Sequence, residues 1–111
     1  MVFSWFNTQK VDAFIDAEVA DLLKRVPPAK LAGDGGAAKK AAEQLARSHD
    51  LLLRHARDFV QREKPNLYQK ARIANRMKWA LLEAKYPKDF ADGLAYALAS
   101  VVAAADADRE V

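Results

Sequence analysis

The chain has 111 residues, a formal net charge of +3 and no cysteine. This length fits one domain over 1–111, and without cysteine neither disulfides nor thiolate metal sites can form, which favours a reducing compartment. The first residues lack a basic region followed by a long apolar run, so we expect no signal peptide. The longest nearly uncharged run, 93–105, is well short of the roughly 20 residues that span a bilayer. We therefore expect a cytoplasmic protein with no membrane partner.

The charge is divided into three blocks along the chain. Residues 1–36 carry four basic and five acidic groups, residues 37–88 carry thirteen and five, and residues 89–111 carry one and five. Two interpretations are open. The basic middle block is typical of a face that binds a polyanion, or the acidic ends fold back onto it.

The first predicted helix spans 8–26, where apolar residues recur at helical spacing. Asn7 is its predicted N-cap, and Phe6 and Val11 then occupy the positions of a hydrophobic staple. Asp12 and Asp16 fall on the polar side of this helix, a pattern typical of a solvated face. Pro residues end the helix, and the Pro- and Gly-containing segment 27–36 is predicted to be a flexible linker, because it lacks the spacing of a phosphate-binding loop.

The second predicted helix spans 37–63 and carries an apolar seam with alternating steps of four and three residues. The seam consists of Ala38, Ala42, Leu45, His49, Leu52, Ala56 and Phe59. His49 is therefore predicted to be a buried polar residue, hydrogen-bonded inside the bundle; the alternative is a ligand-binding or pH-sensitive group. His55 lies too far round the helix to form a metal-binding pair with His49, and we expect no metal site.

The third predicted helix spans 67–86 and has two apolar stripes. The first, predicted to face the core, consists of Ile73, Ala74, Met77, Ala80, Leu81 and Ala84. The second is aromatic and is flanked by cations. With those cations it forms the candidate interaction surface, which consists of Tyr68, Arg72, Asn75, Arg76, Lys78, Trp79, Leu82 and Tyr86.

Three interpretations of this aromatic stripe are open. The N-terminal aromatic residues Phe3, Trp5 and Phe6 could fold over it. It could be an oligomer or partner interface, where aromatic residues and arginine are enriched. It could also stack on the bases of a single-stranded nucleic acid, with Lys70, Lys85 and the flanking cations holding phosphates.

The fourth predicted helix spans 89–105 and is apolar almost all round. Its small-residue stripe consists of Gly93, Ala97, Ser100 and Ala104, and its large-residue stripe consists of Phe90, Leu94, Leu98, Val101 and Val102. A helix that is apolar on every side is normally enclosed. We therefore expect it either at the centre of the bundle or at an interface with a second copy.

One segment resembles a known group of sequences. Residues 67–92 keep the pattern K-A-x-x-x-N-x-x-K-W-x-L, followed by Y-x-x-x-F, over Lys70–Leu81 and Tyr86–Phe90. This segment is similar to one in small bacterial all-α proteins of unknown function. The resemblance implies a bacterial source and a helical packing pattern, and it implies no activity.

The sequence as a whole predicts a single all-α domain, a four-helix bundle. No nucleophile motif or catalytic pairing is present, so we expect no enzyme, no catalytic residue and no cofactor. The leading hypothesis is a helical protein-interaction module that self-associates as a homodimer, with other protein partners possible. The alternative is a single-stranded nucleic-acid-binding accessory protein that uses the third helix.

Overall fold

Helices dominate the computed structural model of the protein, which describes residues 7–33 and 35–110, with side chains as far as 105. Within these residues there are four α-helices, one short 3-10 helix and no strand. The elements are α1 (Gln9–Arg25), the 3-10 helix (Pro28–Leu31), α2 (Gly36–Glu63), α3 (Leu67–Glu83) and α4 (Lys88–Glu110). The predicted all-α bundle is confirmed. The 3-10 turn shows that the predicted linker is partly ordered.

Side-chain hydrogen bonds define the starts of α1 and α3. Asn7 Oδ1 accepts from the Gln9 N–H at 2.9 Å, although the N-cap position itself is Thr8. The predicted staple includes Phe6, which lies outside the described residues. At α3 the capping box is complete: Asn66 Oδ1 accepts from the Gln69 N–H, and Gln69 Oε1 accepts from the Asn66 N–H, both at 2.9 Å. These bonds satisfy backbone donors that have no partner within the helix.

The end of α3 differs from the prediction. The helix ends at Glu83, three residues early, because Lys85 adopts a left-handed conformation with φ of 76°. The Tyr86 N–H donates to the Leu81 carbonyl at 3.0 Å, and the Lys85 N–H donates to the Leu82 carbonyl at 3.1 Å. This is a Schellman motif, and lysine occupies the position that most often holds glycine. Tyr86 therefore belongs to the turn and points away from the α3 stripe.

The contacts between helices establish their directions. Asp12 contacts Arg72 and Asp16 contacts Arg76, so residue numbers rise together and α1 runs parallel to α3. Residue numbers along α2 fall as those along α1 rise, so α2 runs antiparallel to α1. The contacts that show this are Lys10–Glu63, Phe14–Phe59 and Glu18–His55. The antiparallel order continues between α3 and α4 through Tyr86–Phe90 and Lys78–Asp92. Extensive packing joins α1 to α3, α3 to α4 and α4 to α2.

A single core lies between the four helices. Its largest fully buried side chains are Ile15, Leu22, Val26, Leu52, Val60, Ile73, Met77, Leu81, Leu94 and Leu98. The predicted inner stripe of α3 is confirmed, because Ile73, Met77 and Leu81 are all fully buried. Burying aliphatic side chains of this size is the main favourable contribution to folding.

The predicted seam of α2 is wrong at two positions in its first half, whereas Leu45 is buried there as predicted. Ala41 and Ser48 are buried there, whereas Ala42 is exposed and the His49 side chain is 29% exposed. His49 is therefore not a buried polar residue. The physical reason is that the first half of α2 lies beside the 3-10 helix and α4, while its second half contacts α1. A straight helix presents slightly different faces to such differently placed neighbours.

The α4 helix is not enclosed at the centre of the bundle, and its predicted alternative, an interface with a second copy, stays a prediction. Its large-residue stripe faces the core, with Leu94, Leu98 and Val102 buried. The small-residue stripe is mostly exposed, and Tyr96 beside it is 79% exposed. Since α2 and α3 pack on one side of α4 only, no other helix of the described residues covers its opposite side. No helix in the described part of the chain has the length and apolarity needed to cross a membrane.

Candidate functional site

The outer face of α3 separates into residues that are accessible and residues that are not. Tyr68 is 44% and Trp79 is 54% exposed, and Asn75 is also exposed. Leu82 is half-buried and Tyr86 is only 3% exposed. Sequence reasoning placed all five on one surface. The structure keeps Tyr68, Asn75 and Trp79 together and removes Tyr86, because α3 has already ended.

Tyr86 has a structural role at the junction of α1 and α3. Its hydroxyl donates a hydrogen bond of 2.8 Å to the Val26 carbonyl, which is the cap residue of α1. Burial of the ring raises the pKa of Tyr86 to about 12, because the phenolate would lose hydration. Its ring also lies 5.9 Å from that of Phe90, between centroids. Tyr86 thus connects the ends of α1 and α3 to the start of α4.

Two arginines on α3 face two aspartates on α1. Arg72 Nε and Nη2 donate to Asp12 Oδ1 and Oδ2 at 3.0 and 3.3 Å. One turn further along, Arg76 Nη2 donates to both carboxylate oxygens of Asp16 at 3.0 Å. Asp16 is 55% exposed, as predicted for a solvated face, whereas the Asp12 side chain is only 27% exposed, so the prediction is wrong for Asp12. The fixed spacing of four residues on both parallel helices brings the pairs into register.

These ion pairs change the electrostatics of the surface. The hydrogen bond from Arg72 lowers the pKa of Asp12, and the same contact raises the pKa of Arg72. Lys78 lies 3.4 Å from Asp92 of α4 and sits over the Trp79 ring at 5.5 Å. Carboxylates from both acidic ends thus pair with the basic middle block.

The pairing bears directly on the nucleic-acid hypothesis. Three of the five cations that it assigns to phosphates, Arg72, Arg76 and Lys78, already have carboxylate partners. A phosphate would have to displace these carboxylates. Nucleic-acid binding stays a prediction, but the geometry of the surface does not favour it.

A groove runs between α1 and α3 beside Trp79. It has a volume of about 370 Å³ and is lined by Asp16, Val19, Ala20, Leu23, Arg76, Trp79, Ala80, Glu83 and Ala84. Small side chains form its floor, and Leu23 from α1 and Trp79 from α3 are both exposed large apolar residues. Leu23 belongs to the apolar period of the first predicted helix, so its exposure beside the groove was not predicted. No local signal marks it, because the adjacent residues Phe59 and Val60 of α2 are both buried.

Sequence reasoning also missed the contact between His55 and Glu18. His55 Nδ1 lies 2.5 Å from Glu18 Oε1, and the Glu18 side chain is only 11% exposed. The histidine thus provides a polar partner for a nearly buried carboxylate, as a carboxylate in that position requires. Among the described residues no three His, Cys, Asp or Glu side chains come together as a metal site.

Comparison with known proteins gives no relative. No protein-family model, curated protein or solved structure matches the chain. The resemblance of residues 67–92 to small bacterial helical proteins therefore stays a prediction.

Proposed function

We propose that the protein is a non-enzymatic helical interaction module that self-associates as a homodimer through the groove between α1 and α3. The observation that carries this proposal is the exposure of Trp79, at 54%, beside an apolar groove that also exposes Leu23. Tryptophan combines a large apolar area with a single hydrogen-bond donor, and it is enriched among the residues that contribute most to binding.

The surroundings of Trp79 have the composition of an interface. The Trp79 Nε1–H donates to Asn75 Oδ1 at 3.1 Å, so burial of the ring would leave no unpaired donor. The Arg76–Asp16 pair lies on the edge of the groove, where an exposed ion pair contributes specificity more than affinity. An apolar centre with a polar rim is typical of protein interfaces.

A second copy is the proposed occupant because the groove and the side chain that fits it belong to the same surface. In a twofold dimer each chain presents the same patch, and contacts occur in reciprocal pairs. Trp79 of each chain would then enter the groove of the other, beside Leu23. Other protein partners would use the same groove. A cytoplasmic location and a bacterial source belong to this proposal, supported by the absence of cysteine and by the resemblance of residues 67–92.

Sedimentation equilibrium over a wide range of protein concentration tests the proposal. The expected mass is twice the 12.3 kDa of the chain at high concentration. Trp79→Ser should raise the dimer dissociation constant by about tenfold or more. The matched control is Tyr96→Ser, which removes the exposed aromatic ring of α4 and should leave dissociation unchanged.

Two results would contradict the proposed interface. Dissociation caused by Tyr96→Ser, and not by Trp79→Ser, would move the interface to α4. A monomer at every concentration would refute self-association. Circular dichroism of both variants checks that the helices are retained, which we expect because both side chains are more than half exposed.

A further inference from the structure

A second cavity lies at the end of α1, away from the Trp79 groove. It has a volume of about 250 Å³ and is lined by Arg25, Val26, Gln44, Arg47 and Ser48. The three residues from α2 have the spacing i, i+3 and i+4, so they share one helix face. Arg25 comes from the last turn of α1. Two guanidinium groups, a hydroxyl and an amide therefore line one small space.

One buried donor beside this cavity has no partner among the described residues. Arg25 Nε is buried and makes neither a hydrogen bond nor an ion pair. Arg25 Nη2 is ion-paired with Asp21, whose Oδ2 lies 2.8 Å away. Ser48 is only 3% exposed, whereas Arg47 is exposed. Buried polar groups are nearly always hydrogen-bonded, so the Arg25 Nε donor calls for an acceptor.

A neighbouring cavity is also lined by cationic side chains. It has a volume of about 470 Å³, shares Gln44 with the first, and contributes Lys30 and Lys40. Its remaining lining consists of Ala29, Ala32, Ala37, Ala38 and Ala41. Together the described residues that line the two cavities include four cations and no carboxylate, although Asp21 pairs with Arg25 beside them. A concave surface with charges of one sign concentrates ligands of the opposite sign.

The backbone carbonyls at the end of α1 do not exclude an anion from this cavity. The end of a helix carries partial negative charge on its last carbonyls, which would repel an anion beside α1. The Val26 carbonyl, however, already accepts the Tyr86 hydroxyl. Lys24 and Arg25 in the last turn offset the remaining negative charge.

We propose that these two adjacent cavities bind a phosphate monoester, with the phosphate between Arg25 and Arg47 and an apolar body against the alanines. Two guanidinium forks, the Ser48 hydroxyl and the Gln44 amide offer about six donors. This exceeds the roughly four acceptor sites of one carboxylate and suits the three terminal oxygens of a phosphate. The charge of two arginines matches a phosphate dianion, and on binding Arg25 would exchange the Asp21 carboxylate for the phosphate.

Two-dimensional NMR titration at constant ionic strength tests this site with three named probes. Inorganic phosphate represents the free anion, phenyl phosphate adds an apolar body, and benzoate replaces the phosphate by a carboxylate. Both phosphates are expected to give saturable shifts at Gln44, Arg47 and Ser48. Phenyl phosphate is expected to bind about threefold or more tightly than inorganic phosphate, and benzoate should bind more weakly than both.

Substitutions separate a specific site from general attraction to a basic surface. Arg47→Ala should weaken phenyl phosphate binding by about tenfold, as expected for the loss of a charge-assisted hydrogen bond. The matched control is Arg54→Ala, which removes an equally charged, exposed residue of α2 that lines neither cavity. That control should bind like the wild type.

Three results would overturn the proposal: shifts that never saturate, equal losses in the Arg47→Ala and Arg54→Ala variants, or benzoate binding as tightly as phenyl phosphate. Arg47 is exposed, so we expect its substitution to leave the fold intact, and unchanged resonances far from the cavity verify this. The site is independent of self-association, because its lining shares no residue with the Trp79 groove.

Discussion

Arg72 holds Asp12 by two parallel hydrogen bonds, although the two residues are 60 positions apart in the sequence. The same separation of 60 joins Arg76 to Asp16 and the Tyr86 hydroxyl to the Val26 carbonyl. Three polar contacts at one constant separation hold α3 parallel to α1 along most of its length. They fix the relative position of the two helices along their common direction, which apolar packing alone specifies less sharply.

The first prediction concerns the coupling between Arg72 and Asp12. In a double-mutant cycle of Arg72→Gln and Asp12→Asn, urea unfolding should give a coupling free energy of about 1 kcal/mol. We expect this coupling free energy to lie at the upper end of the range for exposed ion pairs, because the contact is bidentate and both side chains are about two-thirds buried. The matching cycle of Arg76→Gln and Asp16→Asn should give a smaller coupling, since Asp16 is 55% exposed. Equal coupling free energies in the two cycles, or no coupling in either, would contradict this dependence on burial.

The second prediction concerns acid. Because the contact with Arg72 lowers the pKa of Asp12 below its ordinary 3.8, the unfolded chain takes up the proton first as the pH falls. The stability that Asp12 contributes is therefore fully present above 3.8 and is lost as the pH falls through the lower, folded pKa. The difference in free energy of unfolding between wild type and Asp12→Asn should shrink below this pH. A constant difference down to strong acid would exclude the ion pair as its cause.

The third prediction concerns Tyr86. Tyr86→Phe keeps the ring but removes the hydrogen bond to Val26, and should lower the free energy of unfolding by about 1–2 kcal/mol. In a Tyr68→Phe/Tyr96→Phe variant, Tyr86 is the tyrosine left to titrate. Its phenolate absorbance should appear near its raised pKa of about 12.

The sign of this shift also predicts a loss of stability in alkali. The neutral phenol is the favoured form in the folded protein, so its contribution is complete below the ordinary pKa of 10.0. That contribution decreases as the pH rises towards the folded value. Tyr86→Phe, in contrast, should lack this component of the alkaline transition, and identical transitions would show that Tyr86 is not its origin.

The fourth prediction concerns Lys85, whose φ of 76° is unfavourable for a residue with a Cβ atom. Lys85→Gly should raise the free energy of unfolding by about 0.5–1 kcal/mol, measured by urea denaturation, because glycine adopts this conformation without a steric penalty. The matched control is Lys88→Gly, which introduces glycine at the first residue of α4 and should not stabilise. Equal effects of the two changes would mean that the left-handed turn is not strained.

The fifth prediction compares the two histidines. His55→Leu should destabilise the protein by about 1–2 kcal/mol near neutral pH, because the nearly buried Glu18 carboxylate loses its partner. His49→Leu should have a smaller effect, since His49 is 29% exposed and its nearest carboxylate belongs to the exposed Asp50. Thermal unfolding of the two variants checks the order. If His49→Leu destabilised the protein more than His55→Leu does, His49 would be the histidine that the core requires.

Local information in the sequence was enough to predict the helices themselves. The apolar period, Pro27 and Pro28 after α1, and the Asn66–Gln69 capping box each act within a few residues, so they are readable without knowledge of the fold. The inner stripe of α3 and the large-residue stripe of α4 were predicted for the same reason. The end of α3 was missed because lysine replaced glycine, the usual sign of a Schellman turn, at position 85.

Tertiary structure decided which polar residues meet. The sequence shows that Asp12 and Asp16 share a face, and that Arg72 and Arg76 share another, but not that these faces oppose each other. That outcome depends on α1 lying parallel to α3, a consequence of the ring order α1, α3, α4, α2 that no local pattern encodes. The same order buries Tyr86, leaves Trp79 and Leu23 open beside one groove, and brings Arg25 to Arg47. Helix periodicity is a property of one segment, whereas a surface assembled from two helices exists only after they have packed.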